Sequence, residues 1–216
     1  MRPWSYSRLK TYEDCPAKYK FRYVDRHVVS PRPSPAADRG SEIHEKAENY
    51  LLGNVPIYPP ELQQVSGHAM LLKTHKAIPE HKIGVKSDWS ISDYNDPDVY
   101  IRAIFDIVYQ DGTVLHIQDW KTGKVYDTHE QQMKDYAAIG LSIHPDVTEV
   151  RTRLIYIDQG VVTPTKAFPT NHIVSLRELL KGRIQQAEDE KVFPTRQGRA
   201  CRFCDFAKKN DGPCKF

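Results

Sequence analysis

Ile104-Phe105-Asp106-Ile107-Val108-Tyr109, a turn at Gln110-Asp111-Gly112-Thr113, and Val114-Leu115-His116-Ile117-Gln118-Asp119-Trp120-Lys121 form the stretch whose reading decides the fold. From Val99 to Tyr109 the chain is rich in Val, Ile, Phe and Tyr, residues that suit a pleated, half-buried surface. Asp-Gly at the turn favours the tight geometry of a hairpin. Val114 to Asp119 then reads as the returning strand. Side chains alternate along a strand, so Leu115, Ile117, Asp119 and Lys121 share one face. Leu115 and Ile117 pack toward a core, which brings Asp119 and Lys121 out on that same side near the strand's end. Residues of the two strands pair when their numbers sum to about 223–225, which sets Asp106 close to Asp119.

Two neighbouring carboxylates repel unless positive charge sits between them. Lys121 supplies some, and a hard cation such as Mg²⁺ or Mn²⁺ supplies more. Two acids and a lysine in this arrangement suit hydrolysis of a phosphodiester. The carboxylates hold the metal, and Lys121 positions water and stabilises charge on the phosphate. The same spacing also fits an Asp-x-Lys ion pair at the surface end of a hairpin, since short charged patterns are common.

Working outward, the flanks read as helices. Ser5 and Ser7 can cap a first helix running to about Tyr12. Cys15-Pro16 interrupts it, and a second helical stretch carries Tyr19, Phe21 and Tyr23. Ser30 to Pro35 is a Pro-rich loop. A helix from about Arg39 carries Ile43, Ala47, Tyr50 and Leu51 on one stripe, with His44 beside it, and ends at Gly53-Asn54. Pro59-Pro60 opens another that Pro79 stops. Residues 82–92 are a weaker strand. After Lys121 a helix spans about Thr128 to Leu141, a hairpin joins Val150–Asp158 to Val161–Lys166, and a last helix spans about Ser175 to Lys191. Helices, three strands, a helix, strands and a helix describe an α/β core with mostly antiparallel hairpins.

The 216 residues are 39% hydrophobic and 27% charged, enough for a real core and against disorder. No apolar run approaches the ~20 residues of a membrane span, and Met1 to Ser5 lacks the apolar stretch of a signal peptide. A soluble, cytoplasmic protein with no membrane partner is expected. The net charge is +3, with Lys and Arg in surplus in residues 1–40 and 181–216 and in deficit between them. Acidic centres suit divalent metals and basic flanks suit a polyanion, although an ordinary mixed surface has the same balance.

Four cysteines are present: Cys15, Cys201, Cys204 and Cys214. Reducing compartments disfavour disulfides, and Cys201-x-x-Cys204 has the spacing of metal ligands. Cys214 and Cys15 would complete a set of four.

With these residues in view, the chain resembles the PD-(D/E)XK nuclease superfamily, in its RecB-like exonuclease branch. Five motifs occur in order. They are Ser5-Tyr6-Ser7-Arg8-Leu9 with Tyr12 and Cys15-Pro16; Gly40-x-x-x-His44; Ile104-Phe105-Asp106-Ile107; Ile117 to Gly123 around Asp119-Trp120-Lys121; and Gln132-x-x-x-Tyr136. The resemblance implies a restriction-endonuclease-like α/β core, a mixed sheet flanked by helices, with the N- and C-terminal segments joined at a cysteine metal site. It implies one nuclease domain over 1–216, in which 1–30 and 194–216 pack together around a 39–191 catalytic core. His44, Asp106, Asp119 and the backbone carbonyl of Trp120 would be metal ligands. Lys121 would be the catalytic lysine, with Gln132 and Tyr136 contacting the substrate or bracing the site; Gln131 is a rival for Gln132. No acidic residue matches the further glutamate of some relatives, Asp88 and Asp98 being the nearest. The cysteines resemble the iron–sulfur staple of the CRISPR-associated adaptation nucleases and some helicase–nucleases, which hold a 4Fe–4S cluster. Nine residues lie between Cys204 and Cys214, and zinc or free thiols remain alternatives.

The implied activity is a Mg²⁺- or Mn²⁺-dependent deoxyribonuclease. An exonuclease on DNA ends or single strands fits better than an endonuclease, in recombination, repair or replication, with a helicase or recombination protein as further partner. A bacterial or viral source fits equally. The alternative is a non-catalytic DNA-binding or recombination accessory protein that keeps the fold.

Overall fold

The computed structural model describes residues 3–29, 34–126, 129–143 and 146–216. The chain divides into two compact units. One comprises Met1–Pro3 and Pro35–Leu180, the other Trp4–Ser34 and Lys181–Phe216. Most of the Pro-rich segment, 30–33, and the expected helix start at Thr128 lie outside the described residues. No helix among the described residues is long and apolar enough to cross a membrane.

In the larger unit, β1 (Ile78–Val85), β2 (Ile91–Ser92), β3 (Ile101–Asp111), β4 (Val114–Lys121), β5 (Glu149–Tyr156), β6 (Val161–Val162) and β7 (Lys166–Pro169) form one mixed sheet. The order is β2-β1-β3-β4-β5-β6, with β7 also on β5. Ile107 pairs with Gln118 and Val108 with Ile117, a register summing to 225. β4 and β5 are parallel, Asp119 opposite Leu154 and Lys121 opposite Tyr156. A parallel pair needs a crossover, which the helix His129–Gly140 provides.

Helices α1 (Tyr6–Asp14) and α2 (Pro16–Tyr19) belong to the smaller unit, while α3 (Pro35–Leu52), α4 (Ser66–Thr74) and α5 (His129–Gly140) belong to the larger. α6 (Thr170–Asp189) runs through the boundary. α3 starts at Pro35 instead of near Arg39, because proline's fixed φ suits a first helical position. Its stripe Ile43, Ala47 and Tyr50 is buried together with Leu62, Val65, Ala69 and Leu72, and with Ile107, Trp120 and Ile155 from the sheet. Pro79 does not stop α4. The helix ends at Thr74, Lys76 takes positive φ, and Pro79 lies inside β1 opposite Ile107. β1 is paired on its other side only at Gly84 and Val85, so Pro79 lies on a free edge where its missing N–H costs no ladder bond. The strand expected over 82–92 is therefore two strands, starting four residues earlier and broken by a turn closed by Trp89 N–H to the Lys86 carbonyl. The expected strand Val161–Lys166 is likewise split into β6 and β7 around Pro164, which has no N–H to give.

In the smaller unit Ser5 caps α1, its hydroxyl accepting from Arg8 N–H at 3.3 Å. The Arg8 guanidinium lies 4.2 Å from the centroid of buried Trp4, which stacks on Tyr19 at 5.7 Å. Arg183 donates to Glu13 at 2.6 Å, linking the C-terminal part of α6 to α1. The four cysteines line one cavity of about 80 Å³ here, with Phe21, Phe206 and Arg196. All four are half-buried and free of disulfides. Gly212 packs against the Phe206 backbone so closely that a Cβ would sit 2.2 Å from its carbonyl carbon. That approach lets Cys214 N–H reach the Phe206 carbonyl at 2.9 Å.

Candidate active site

β3 and β4 deliver the acidic pair. Their ladder ends at Ile107–Gln118, and beyond it a side chain takes over: Asp106 Oδ2 accepts the Trp120 backbone N–H at 2.9 Å. α3 delivers His44, one residue after buried Ile43, with Nδ1 3.4 Å from Asp106 Oδ2. Gly40, one turn earlier, lets the helix come close to the end of β4, where a Cβ would lie 3.2 Å from the Thr122 hydroxyl. β1 delivers Glu80, which faces Asp106 between the pairs Pro79–Ile107 and His81–Phe105. Glu80 takes φ +48°, an uncommon conformation for a residue with a Cβ. Ligand atoms of His44, Glu80 and Asp106 all lie within 4.8 Å of one another. His44 and Glu80 border an open cleft of about 470 Å³ lined also by Gly40, Glu45, Glu48 and Thr122.

The electrostatics of this trio are unfavourable without a cation. Burial holds the Asp106 carboxyl well above the usual range, with Asp119 and then Glu80 adding to the rise against Lys121. Burial also raises Glu80, with Glu48 contributing, and Lys82 opposes. His44 is pushed down by burial, which the Asp119 charge and a hydrogen bond with the Trp120 backbone partly offset. Crowded carboxylates beside a neutral imidazole and a backbone carbonyl make an O/N donor set suited to a divalent ion.

Asp119 and Lys121 form the adjoining half. Asp119 is 1% exposed; its Oδ2 lies 2.5 Å from Lys121 Nζ, and its Oδ1 accepts from Gln132 Nε2 at 2.9 Å. Gln132 also accepts from Lys121 Nζ at 2.9 Å and donates to Tyr136 Oη at 3.0 Å. Gln132 and Tyr136 sit one turn apart on α5. Gln131 turns instead to Asp135, 2.9 Å away. Tyr136 packs edge-on against Phe105. The structure thus brings His44 and Asp106 together with the Trp120 backbone, and Lys121, Asp119, Gln132 and Tyr136 together beside them. Asp119 stands outside the tight trio because Lys121 and Gln132 engage its carboxylate.

A family model described as the PD-(D/E)XK nuclease superfamily matches residues 3–68 and 62–208. The chain belongs to the PD-(D/E)XK nuclease superfamily. Among solved structures, the nuclease is similar to a Eubacterium rectale protein named "Putative exonuclease", at 13% identity and TM-score 0.54, covering 93% of this chain and 87% of the other. It is also similar to a protein named SSO0001, at 13% identity and TM-score 0.43, covering 100% of this chain and 88% of the other. No curated protein matches it.

Glu80 is the acidic residue that sequence reasoning missed. Asp88 and Asp98, the nearest choices, are exposed in loops, Asp88 accepting from Ser90 and neither joining the trio. The usable signal was Ile78 and Ile83 bracketing Glu80: extending β1 back to Ile78 places Glu80 opposite Asp106. A second missed feature is a clamp behind the nuclease site. Arg39 of α3 holds Asp158 bidentately at 2.9 and 2.6 Å, and Asp158 Oδ2 accepts Gly123 N–H at 2.7 Å. Gln159 donates to the Gly123 carbonyl. These bonds tie the loop after Lys121 to α3, and the Arg39 guanidinium holds Asp158 below the usual carboxylate range.

Proposed function

We propose that the protein is a divalent-metal-dependent DNA exonuclease of the RecB-like branch. The observation that carries this reading is the trio His44, Glu80 and Asp106 beside the Asp119–Lys121 pair, in a chain of this nuclease superfamily. His44, Glu80 and Asp106 hold Mg²⁺ or Mn²⁺, with Asp119 and the Trp120 carbonyl as further donors. A bound divalent ion supplies positive charge against the phosphoryl oxygens and acidifies the attacking water. Lys121, oriented by Asp119 and Gln132, presents Nζ to the scissile phosphate and stabilises charge that develops on it. Gln132 keeps that ammonium from turning away, and Tyr136 fixes Gln132 in turn. DNA ends or single strands are the substrate, in recombination, repair or replication, with a helicase or recombination protein as partner.

The cysteine cavity carries a 4Fe–4S cluster in this reading. A tetrahedral zinc with thiolates at 2.3 Å needs them about 3.8 Å apart. Among the described residues no three cysteine sulfurs come within 4.8 Å of one another. What supports the cluster reading is that all four cysteines line one cavity, where the Arg196 backbone N–H also donates toward Cys15 Sγ at 3.5 Å. Visible absorbance with iron and zinc assays tests the cluster; a colourless protein holding zinc overturns it.

The nuclease is tested by incubating end-labelled linear DNA and closed circular DNA, single- and double-stranded, with a metal series. Loss of linear substrate with metal, abolished by Lys121→Ala and Asp106→Ala, is expected. Cutting of closed circles would replace the exonuclease reading with an endonuclease, and full activity in both variants would remove the assigned centre.

A further inference from the structure

The sheet carries a second polar groove whose side chains point away from the metal centre. Alternation along β4 places Gln118 and His116 on the opposite face from Asp119 and Lys121. Contacts agree: Asp119 bonds Gln132 of α5, whereas Gln118 meets His68 of α4 at 2.6 Å. On this face a groove of about 460 Å³ is lined by Tyr109, His116, Gln118, Arg151, Arg153 and Thr165 among others.

Its floor is fixed. Gln118 is 3% exposed and is held between His68 and, at 3.5 Å, Tyr109 Oη. The rings of Tyr109 and His116 stack at 4.4 Å and 4° from parallel, and His75 stacks on the other side of Tyr109 at 4.7 Å. Its wall is cationic. Arg151 lies opposite His116 and Arg153 opposite Gln118 in the β4–β5 register. Residues two apart on a strand lie roughly 6.6 Å apart on one face, so both arginines leave the strand toward this groove, which both line. Glu149 pairs with Arg151 through its Nε at 2.5 Å. Among the described residues no carboxylate pairs with Arg153; one terminal nitrogen bonds the Thr165 hydroxyl, and its Nε is buried without a hydrogen-bond partner. Asp111 is the acidic group acting on His116, against Arg151, His75 and Arg153.

We propose that this groove is a phosphate-binding site that takes a nucleotide. Two guanidinium forks on one strand match phosphate oxygens bidentately and relieve their own repulsion by sharing a dianion. Tyr109 is covered by a ring on each face, so the outer face of His116 is the flat surface offered to a base, and the groove's volume suits one nucleotide. The site is independent of the reading of the metal centre, because none of its residues belongs to that centre.

The phosphate can come from a free nucleotide or from the end of a strand. Binding is measured by calorimetry with metal-free protein in chelator. The probes are inorganic phosphate, dAMP and a short 5′-phosphorylated single strand. The wild-type protein should bind dAMP, and Arg153→Gln should weaken it about tenfold, one lost charge-assisted pair. Arg151→Gln should weaken it several-fold, and Lys10→Gln, on the surface of the smaller unit and outside both sites, should leave it unchanged. Thermal melts establish that each variant is folded, and Arg151→Gln carries the test if Arg153→Gln is not. Tighter binding of the strand than of dAMP, with the same sensitivity to Arg153→Gln, assigns the groove to strand ends; the reverse order assigns it to free nucleotides. The proposal is overturned if no probe binds, if both arginine variants bind as wild type does, or if Lys10→Gln weakens binding as much as the arginine variants do.

Discussion

Replacing Lys121 with methionine should destabilise the metal-free protein as well as silence the site. The Lys121 side chain is 18% exposed and that of Asp119 2%, with 2.5 Å between the charged atoms. Removing one partner of a buried pair leaves an uncompensated charge and costs about 3–5 kcal/mol. Gln132 still donates to Asp119 at 2.9 Å, which favours the lower end. The repulsion from Asp106 and Glu80 that Lys121 now screens acts the other way. A loss of about 3 kcal/mol is therefore expected in metal-free protein at neutral pH, a drop in melting temperature of roughly 6–12 °C for a chain of this size. Adding Asp119→Asn removes the orphaned charge, and the double variant should recover about 2 kcal/mol of that loss. The assay is urea unfolding of the wild type, both single variants and the double variant in chelator, analysed as a thermodynamic cycle. If Lys121→Met costs under 1 kcal/mol, or if Asp119→Asn deepens the loss instead of relieving it, the pair is not the buried, mutually dependent unit described.

Three further outcomes follow from the same geometry. Glu80→Gln should weaken Mn²⁺ binding about tenfold or more by calorimetry, and should raise metal-free stability, because it removes a carboxylate that crowds Asp106. Asp106 and Glu80 are both raised in the fold, so their ionisation costs more there than in the unfolded chain. Metal-free stability should fall as pH rises from the ordinary carboxylate range through their raised values. Over that interval Mn²⁺ must displace protons, so its affinity should rise with pH; urea midpoints with and without Mn²⁺ at pH values across the interval check both signs. Gly212→Ala forces a Cβ to 2.2 Å from the Phe206 carbonyl carbon, a backbone clash that moves the turn holding Cys214. Metal content per chain should drop in that variant, while Gly182→Ala, where a Cβ meets nothing within 4 Å, should keep it.

The strands that carry the acidic pair were readable because their signal is local. Dense β-branched and aromatic residues, an Asp-Gly turn and period-two alternation marked β3 and β4 and a register sum of about 223–225, and the observed sum is 225. Gly40 and His44, and Gln132 and Tyr136, were picked out by the family resemblance; helical geometry adds only that each pair, four apart, shares a face. What escaped is held by tertiary contacts. β1 contains a proline and a glutamate at φ +48°, both poor strand residues, and its register is imposed by β3. β7 is four residues long and gains its pairing only from β5. The parallel pairing of β4 with β5 depends on the crossover through α5, which no local pattern encodes.

Glu80 shows why the least legible residue lies at the chemical centre. A strained φ at a non-glycine residue costs of order 1–3 kcal/mol and persists only where surrounding structure over-determines it. Here flanking pairs at Pro79 and His81 lock the strand on both sides, and the distortion aims a carboxylate at Asp106 across the ladder. The result is locally unfavourable twice over, in backbone conformation and in charge, since burial and Glu48 already raise Glu80. A divalent ion would offset the second cost directly and, by fixing Glu80 against Asp106 and His44, help maintain the first. Propensity rules work by asking which conformation each residue prefers alone, so they pass over a residue that is where it is because of a charge the chain itself does not contain.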